Sequence, residues 1–143
     1  MSTKGDIASA RFASGFNCST SVFTSFCEDY DLDEETAAKI ACGLGGGCSS
    51  GEICGAVSGA VMVIGLKYGQ DTKENQSAKT NCYAHVDEFI DSFKEKQHAL
   101  TCRDLLGADP KTEEGHAVYL EKRVTICPGL VKCSADILEE LGY

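Results

Sequence analysis

Nine cysteines, at positions 18, 27, 42, 48, 54, 82, 102, 127 and 133 of 143 residues, restrict this chain more than any other feature. Dense disulfide frameworks belong to small secreted domains that cannot build an adequate core. A chain of this length is one domain and can bury roughly 70% of the surface its unfolded form exposes, so it needs no such staples. The odd count leaves one thiol outside any fully paired scheme, and the N-terminus carries no apolar stretch of the secretory type. The expectation is therefore cysteine chemistry, metal or redox, in a reducing compartment such as the cytoplasm.

Hydrophobic residues make up 43% and charged residues 24% of the chain, the balance of a globular protein. Thirteen basic against 22 acidic residues give a net charge of -9, which repels phosphate backbones and anionic lipids. Nucleic acid is thus not an expected partner. Nor is membrane insertion: the longest apolar run, Ile53 to Leu66, is short of the ~20 residues a span requires and is broken by Gly55, Ser58 and Gly59.

Helical periodicity recurs along the chain and only two prolines interrupt it, so the expected fold is all-α, a compact bundle of six to seven helices. Lys4 to Ser14 forms a helix stopped by Gly15. Asn17 caps a second helix that starts at Cys18, with Val22, Phe23, Phe26 and Tyr30 as its apolar stripe. Asp33 caps a third through Ala41, followed by the glycine-rich loop Gly43 to Gly51. Ile53 to Tyr68 reads as a buried central helix whose Gly55 and Gly59 admit another backbone. Asn75 to Gln97 is amphipathic, with Ala78, Cys82, Val86, Phe89, Ile90 and Phe93 on one face. Thr101 caps a short turn from Cys102 to Leu106. One helix is expected near Glu113 to Thr125 and a separate one from Pro128, at its first position, to Leu141.

Several motifs stand out as a set: Gly15 to Cys18, Gly45 to Gly47, Gly51 to Ala60 with Cys54-Gly-Ala-x-x-Gly59, Ile64 to Gly69, Cys102 to Gly107, and Cys127. In this order, and across nearly the whole chain, they resemble the redox-active family named for its C-GCAxxG-C-C pattern. The resemblance places Cys18, Cys54, Cys102 and Cys127 on the four characteristic positions and implies redox activity with metal or cluster binding, but no defined reaction. A similar domain is fused to c-type haem modules in split-Soret cytochromes, which implies an iron–sulfur centre and a homodimer.

The helix map adds a physical expectation: each of these four cysteines falls at a helix start. Unpaired backbone N–H groups and the positive end of the helix dipole favour thiolate there and lower its pKa. Thiolate is both metal ligand and nucleophile. Four such helix ends converging on one point call for something anionic between them, and a thiolate-ligated iron–sulfur cluster is such a species. The alternative is four buried cysteines acting as small hydrophobes. Gly45, Gly46 and Gly47 are candidates to aim N–H groups at cluster sulfur, or else form a plain turn. Arg103, beside Cys102, either steadies an anionic centre or makes a surface ion pair.

Cys42 and Cys48 are candidate additional ligands. Positions six apart on a helix differ by ~240°, so only the glycine loop could bring them to Cys54. Cys27, Cys82 and Cys133 are read as packing. Asp29-x-Asp31-x-Asp33 fails as a calcium loop, with Glu34 where glycine is needed and Ile40 where glutamate is needed. The glycine loop has no Gly-Lys-Ser/Thr and is no nucleotide loop. His85, His98 and His116 show no paired ligand spacing, although His116 could donate a proton.

The leading reading is a cytoplasmic iron–sulfur protein that carries electrons to a redox partner protein. A thiol–disulfide oxidoreductase with Cys54 as attacking thiolate is the first alternative, weakened by the lack of a C-x-x-C pair. A four-thiolate zinc site is the second, weakened by cysteine separations of 36, 48 and 25 positions.

Overall fold

A computed structural model describes residues 2–143. Seven α-helices build it, with no strand among the described residues. They are α1 (Lys4–Ser14), α2 (Cys18–Phe26), α3 (Glu34–Ala41), α4 (Gly55–Tyr68), α5 (Gln76–Gln97), α6 (Cys102–Leu106) and α7 (Glu113–Glu140). Caps fix most of the boundaries. Thr3 and Asp6 form a reciprocal capping box on α1, and Gly15 ends that helix with its N–H on the carbonyls of Arg11 and Phe12. Asn17, Asp33, Asn75, Thr101 and Thr112 each accept a backbone N–H in the first turn of their helices.

The helix at the centre is α2 rather than α4. All nine of its residues are buried, although five of the nine, Ser19, Thr20, Ser21, Thr24 and Ser25, are serine or threonine. Burying those hydroxyls is tolerable because those of Ser19, Ser21, Thr24 and Ser25 each donate to a backbone carbonyl. Thr24 and Ser25 donate to the carbonyls of Thr20 and Ser21 at 2.7 Å, and Ser19 donates to Ala41 O at 2.7 Å. α4 packs along α2, α1 packs along α7, and α5 closes the bundle against α4 and α7 through buried Phe89 and Phe93.

Small residues set the closeness of α4 to α2. A Cβ on Gly59 would lie 2.7 Å from Ser19 O, and one on Gly55 would lie 3.0 Å from Ser19 N and 3.1 Å from Cys18 Cβ. Only hydrogen at these two positions lets the start of α4 rest on the first turn of α2. No helix among the described residues is long and apolar enough to cross a membrane.

The second difference from the sequence expectation lies in α7. Glu113 to Glu140 is one continuous helix that passes through Pro128, instead of two helices divided there. Proline removes the bond that would run to the carbonyl four residues earlier, on Val124. Val124 is 67% exposed, so water can donate to that carbonyl in place of the missing N–H. Downstream, buried Leu130, Val131, Ile137 and Leu138 hold the second half in line with the first.

Gly59→Ala should destabilise the fold by roughly 1–3 kcal/mol, since backbone rather than a mobile side chain blocks the added methyl. Chemical denaturation of the reduced, metal-free protein measures this, with the same change at Gly65, inside the same helix and with nothing within 4 Å, as a control that should be stabilised by up to about 1 kcal/mol.

Candidate functional site

Cys18, Cys54, Cys102 and Cys127 are buried and stand close enough together for each to feel the charge of others in the group. Four different helices supply them. Cys18 is the first residue of α2, placed by the Asn17 cap, whose side-chain nitrogen also donates to Cys42 O at 2.8 Å. That one asparagine ties the start of α2 to the beginning of the glycine loop.

Cys54 and Cys102 are set side by side by a short antiparallel bridge between Ile53 and Thr101. Cys54 N–H donates to Leu100 O at 2.8 Å and Cys102 N–H donates to Glu52 O at 2.7 Å. This clamp makes neighbours of two helix starts separated by 48 positions in sequence. Cys127 comes from the middle of α7, one residue before Pro128. It is therefore not at a helix start, and the expectation that all four cysteines sit there holds for three.

The expected low pKa values are corrected more broadly. Burial pushes the Cys54 thiol up to about 12, against the backbone amides of Ala56 and Val57 that favour its thiolate. Burial likewise raises Cys102 to about 11. Cys18 donates a hydrogen bond to Cys127, and that bond together with burial holds Cys18 well above the usual thiol range. Only Cys127 is lowered, by the bond from Cys18 and by the nearby Arg123 cation. Desolvation opposes thiolate more strongly than a helix terminus supports it here. Burial thus disfavours Cys54 as an attacking thiolate, and of the four thiols Cys127 is the most readily ionised.

Around the four thiols the structure adds two residues that sequence reasoning missed. Tyr119 is partly buried, and its hydroxyl feels the charge of Cys102, Cys18 and Cys127. Arg123 lies near Cys127. The signal was present: Tyr119, Arg123 and Cys127 follow an i, i+4, i+8 spacing along one face of α7.

The other predicted residues take different places. Gly45 packs on the Asn17 side chain, Gly46 lies beneath the Tyr119 hydroxyl, and Gly47 lies against the backbone of Glu52. They border the cysteine centre and join its supporting residues. Gly46, Gly47, Cys48 and Ser49 all have left-handed backbone, with φ of 64°, 63°, 58° and 56°. Arg103 turns to Glu52, at 2.8 and 3.4 Å, in a partly exposed ion pair. Cys42 and Cys48 are exposed, outside the buried group, and Cys82 and Cys133 are half-buried against the core. Cys27 is fully buried and donates to Thr24 O. Among the described residues, no three His, Cys, Asp or Glu side chains close on one point as a single metal ion requires.

The all-α bundle thus gathers four buried thiols from distant parts of the sequence. Residues 16–141 match the family described as "Putative redox-active protein (C_GCAxxG_C_C)", and the chain belongs to that family. The GCAxxG of the label is met here by Cys54-Gly-Ala-Val-Ser-Gly59, with cysteine before glycine. No curated protein and no solved structure matches the chain.

The reduced, metal-free protein should lose stability as pH rises above the usual thiol value of 9.0, through about 11 and 12. In that window the unfolded chain releases protons that folded Cys102 and Cys54 retain, so alkali favours unfolding; below 9.0 this contribution is fully present. Denaturant midpoints measured across this range check it. Cys54→Ala should flatten the upper part of the slope.

Proposed function

We propose that this protein is a cytoplasmic iron–sulfur redox protein in which Cys18, Cys54, Cys102 and Cys127 hold the cluster and electrons pass to a partner protein. The observation that carries this reading is the convergence of four buried thiols from four helices, with no carboxylate or imidazole in the group. Soft thiolate donors of this kind suit iron–sulfur clusters. In a polynuclear cluster the four thiolates are divided among two or more irons, so the four sulfurs need not meet at a point as they must around one zinc ion.

When bound, such a cluster supplies reversible one-electron exchange. The chain's own residues prepare for it. Ala56 and Val57 N–H groups lie against Cys54 and favour its anionic form. Arg123 provides a cation near Cys127, and the partly buried Tyr119 stands beside the group. Leu120 and Val124, exposed on α7 within two turns of Cys127, offer an apolar surface for a redox partner or the second subunit of a homodimer.

One observation favours a second reading, thiol–disulfide exchange. Cys18 and Cys127 form a close pair in which Cys127 is the more readily ionised thiol. In that reaction Cys127 thiolate attacks a partner's disulfide, giving a mixed disulfide and one released partner thiolate. Cys18 then displaces the second partner sulfur, leaving a Cys18–Cys127 disulfide and a reduced partner.

Serine at position 18, 54, 102 or 127 should lower iron retention and visible absorbance by at least ~10-fold in anaerobically purified protein, whereas serine at Cys42 or Cys48 should leave both unchanged. Reconstitution of the metal-free protein should release at least three protons per chain near neutral pH, because Cys18, Cys54 and Cys102 start protonated. A colourless protein whose Cys18 and Cys127 interconvert between dithiol and disulfide would support exchange chemistry instead.

A further inference from the structure

Beside the cysteine group lies a cleft of about 260 Å³, lined by Gly45, Gly46, Ser49, Pro110, Lys111, His116 and Tyr119. Tyr119 is its shared wall: one side of the residue faces the cleft, and the charges of Cys18, Cys102 and Cys127 reach its hydroxyl. The opposite wall is the Gly45–Gly46 backbone, with the position of a Gly46 Cβ only 3.1 Å from the Tyr119 hydroxyl.

The chemistry of the lining is one-sided. Lys111 and His116 belong to it, and no carboxylate does, on a chain whose net charge is -9. The Lys111 ammonium has no salt bridge among the described residues, although Asp109 accepts the backbone N–H of Lys111 at 2.9 Å. The His116 ring is engaged by stacking on Tyr119, with centroids 6.2 Å apart, which fixes the two side chains relative to each other. A cation, an imidazole and a phenol thus share one recess.

We propose that this cleft binds a small carboxylate or inorganic oxyanion next to the cysteine centre, with Lys111 supplying charge and His116 and Tyr119 supplying hydrogen-bond donors. The recess lies below the usual volume of sites for drug-sized ligands, roughly 300–1,000 Å³, so it suits a compact anion and not a nucleotide or an acidic peptide. A guest there sits against Tyr119, whose hydroxyl the charges of three of the four thiols reach. The inference concerns binding alone, and it stands whether the thiols hold a cluster or exchange disulfides.

The test is a titration of the protein as purified, at fixed pH and ionic strength, with acetate, malonate, sulfate and phosphate. Acetamide and chloride serve as neutral and non-oxyanion controls, and amide and aromatic NMR signals of the cleft residues are followed. At least one oxyanion or carboxylate should give saturable shifts at His116, Tyr119 and Gly46. Lys111→Gln and His116→Phe, both at exposed positions and so compatible with folding, should each weaken that binding at least ~10-fold, the loss expected when a charged partner is removed. Iron content measured on the same two variants should match the unaltered protein, so failure of the cleft and failure of the cluster reading remain distinguishable. No saturable shift with any probe, equal binding by acetamide, or undiminished affinity in both variants would overturn the proposal.

Discussion

The cysteine centre depends on how near the backbone of α4 comes to the first turn of α2. Glycine at 55 and 59 allows that approach, and a methyl group at either position would press on Ser19 or Cys18. With the approach made, Cys54 stands beside Cys18; the Ile53–Thr101 bridge then brings Cys102 to Cys54. The long α7, packed on α1 and α2, adds Cys127 from a third direction. Backbone contacts, not side-chain interlocking, fix the first three sulfurs.

Collecting four thiols in a buried place has an electrostatic consequence. Water is excluded, so the neutral forms of Cys54 and Cys102 are strongly preferred. Cys127 is nevertheless the most readily ionised of the four, because Cys18 donates to it and Arg123 is near. The metal-free protein is thus a store of protons that only a multiply charged cation or cluster would displace. The same competition explains why a helix start did not by itself make Cys54 a thiolate.

Local rules read from sequence located α1, α2, α3 and α6 closely, since Thr3, Asn17, Asp33 and Thr101 are strong caps and Gly15 and Gly107 are strong stops. They failed where tertiary packing decides. Proline one residue after Cys127 reads equally as a helix start or an interior kink, and Leu130, Val131, Ile137 and Leu138 packing in the bundle selects the kink. Hydrophobicity pointed to α4 as the central helix, but α2 is buried all round because its hydroxyls find carbonyls on α2 and on Ala41. Tyr119 and Arg123 were legible as a helical row ending at Cys127, yet only with α7 continuous does that row face the thiols. Arg103 shows the opposite limit: adjacency to Cys102 in sequence says nothing about a side chain that a nearby Glu52 can claim.

The central claim is that these four thiols hold an iron–sulfur cluster. Iron and acid-labile sulfide per chain, measured with the visible spectrum on anaerobically purified protein, address it most directly. Several irons matched by a similar amount of sulfide, lost together when Cys18 is replaced, are what the account predicts. Negligible iron and sulfide after reconstitution under reducing conditions would contradict it.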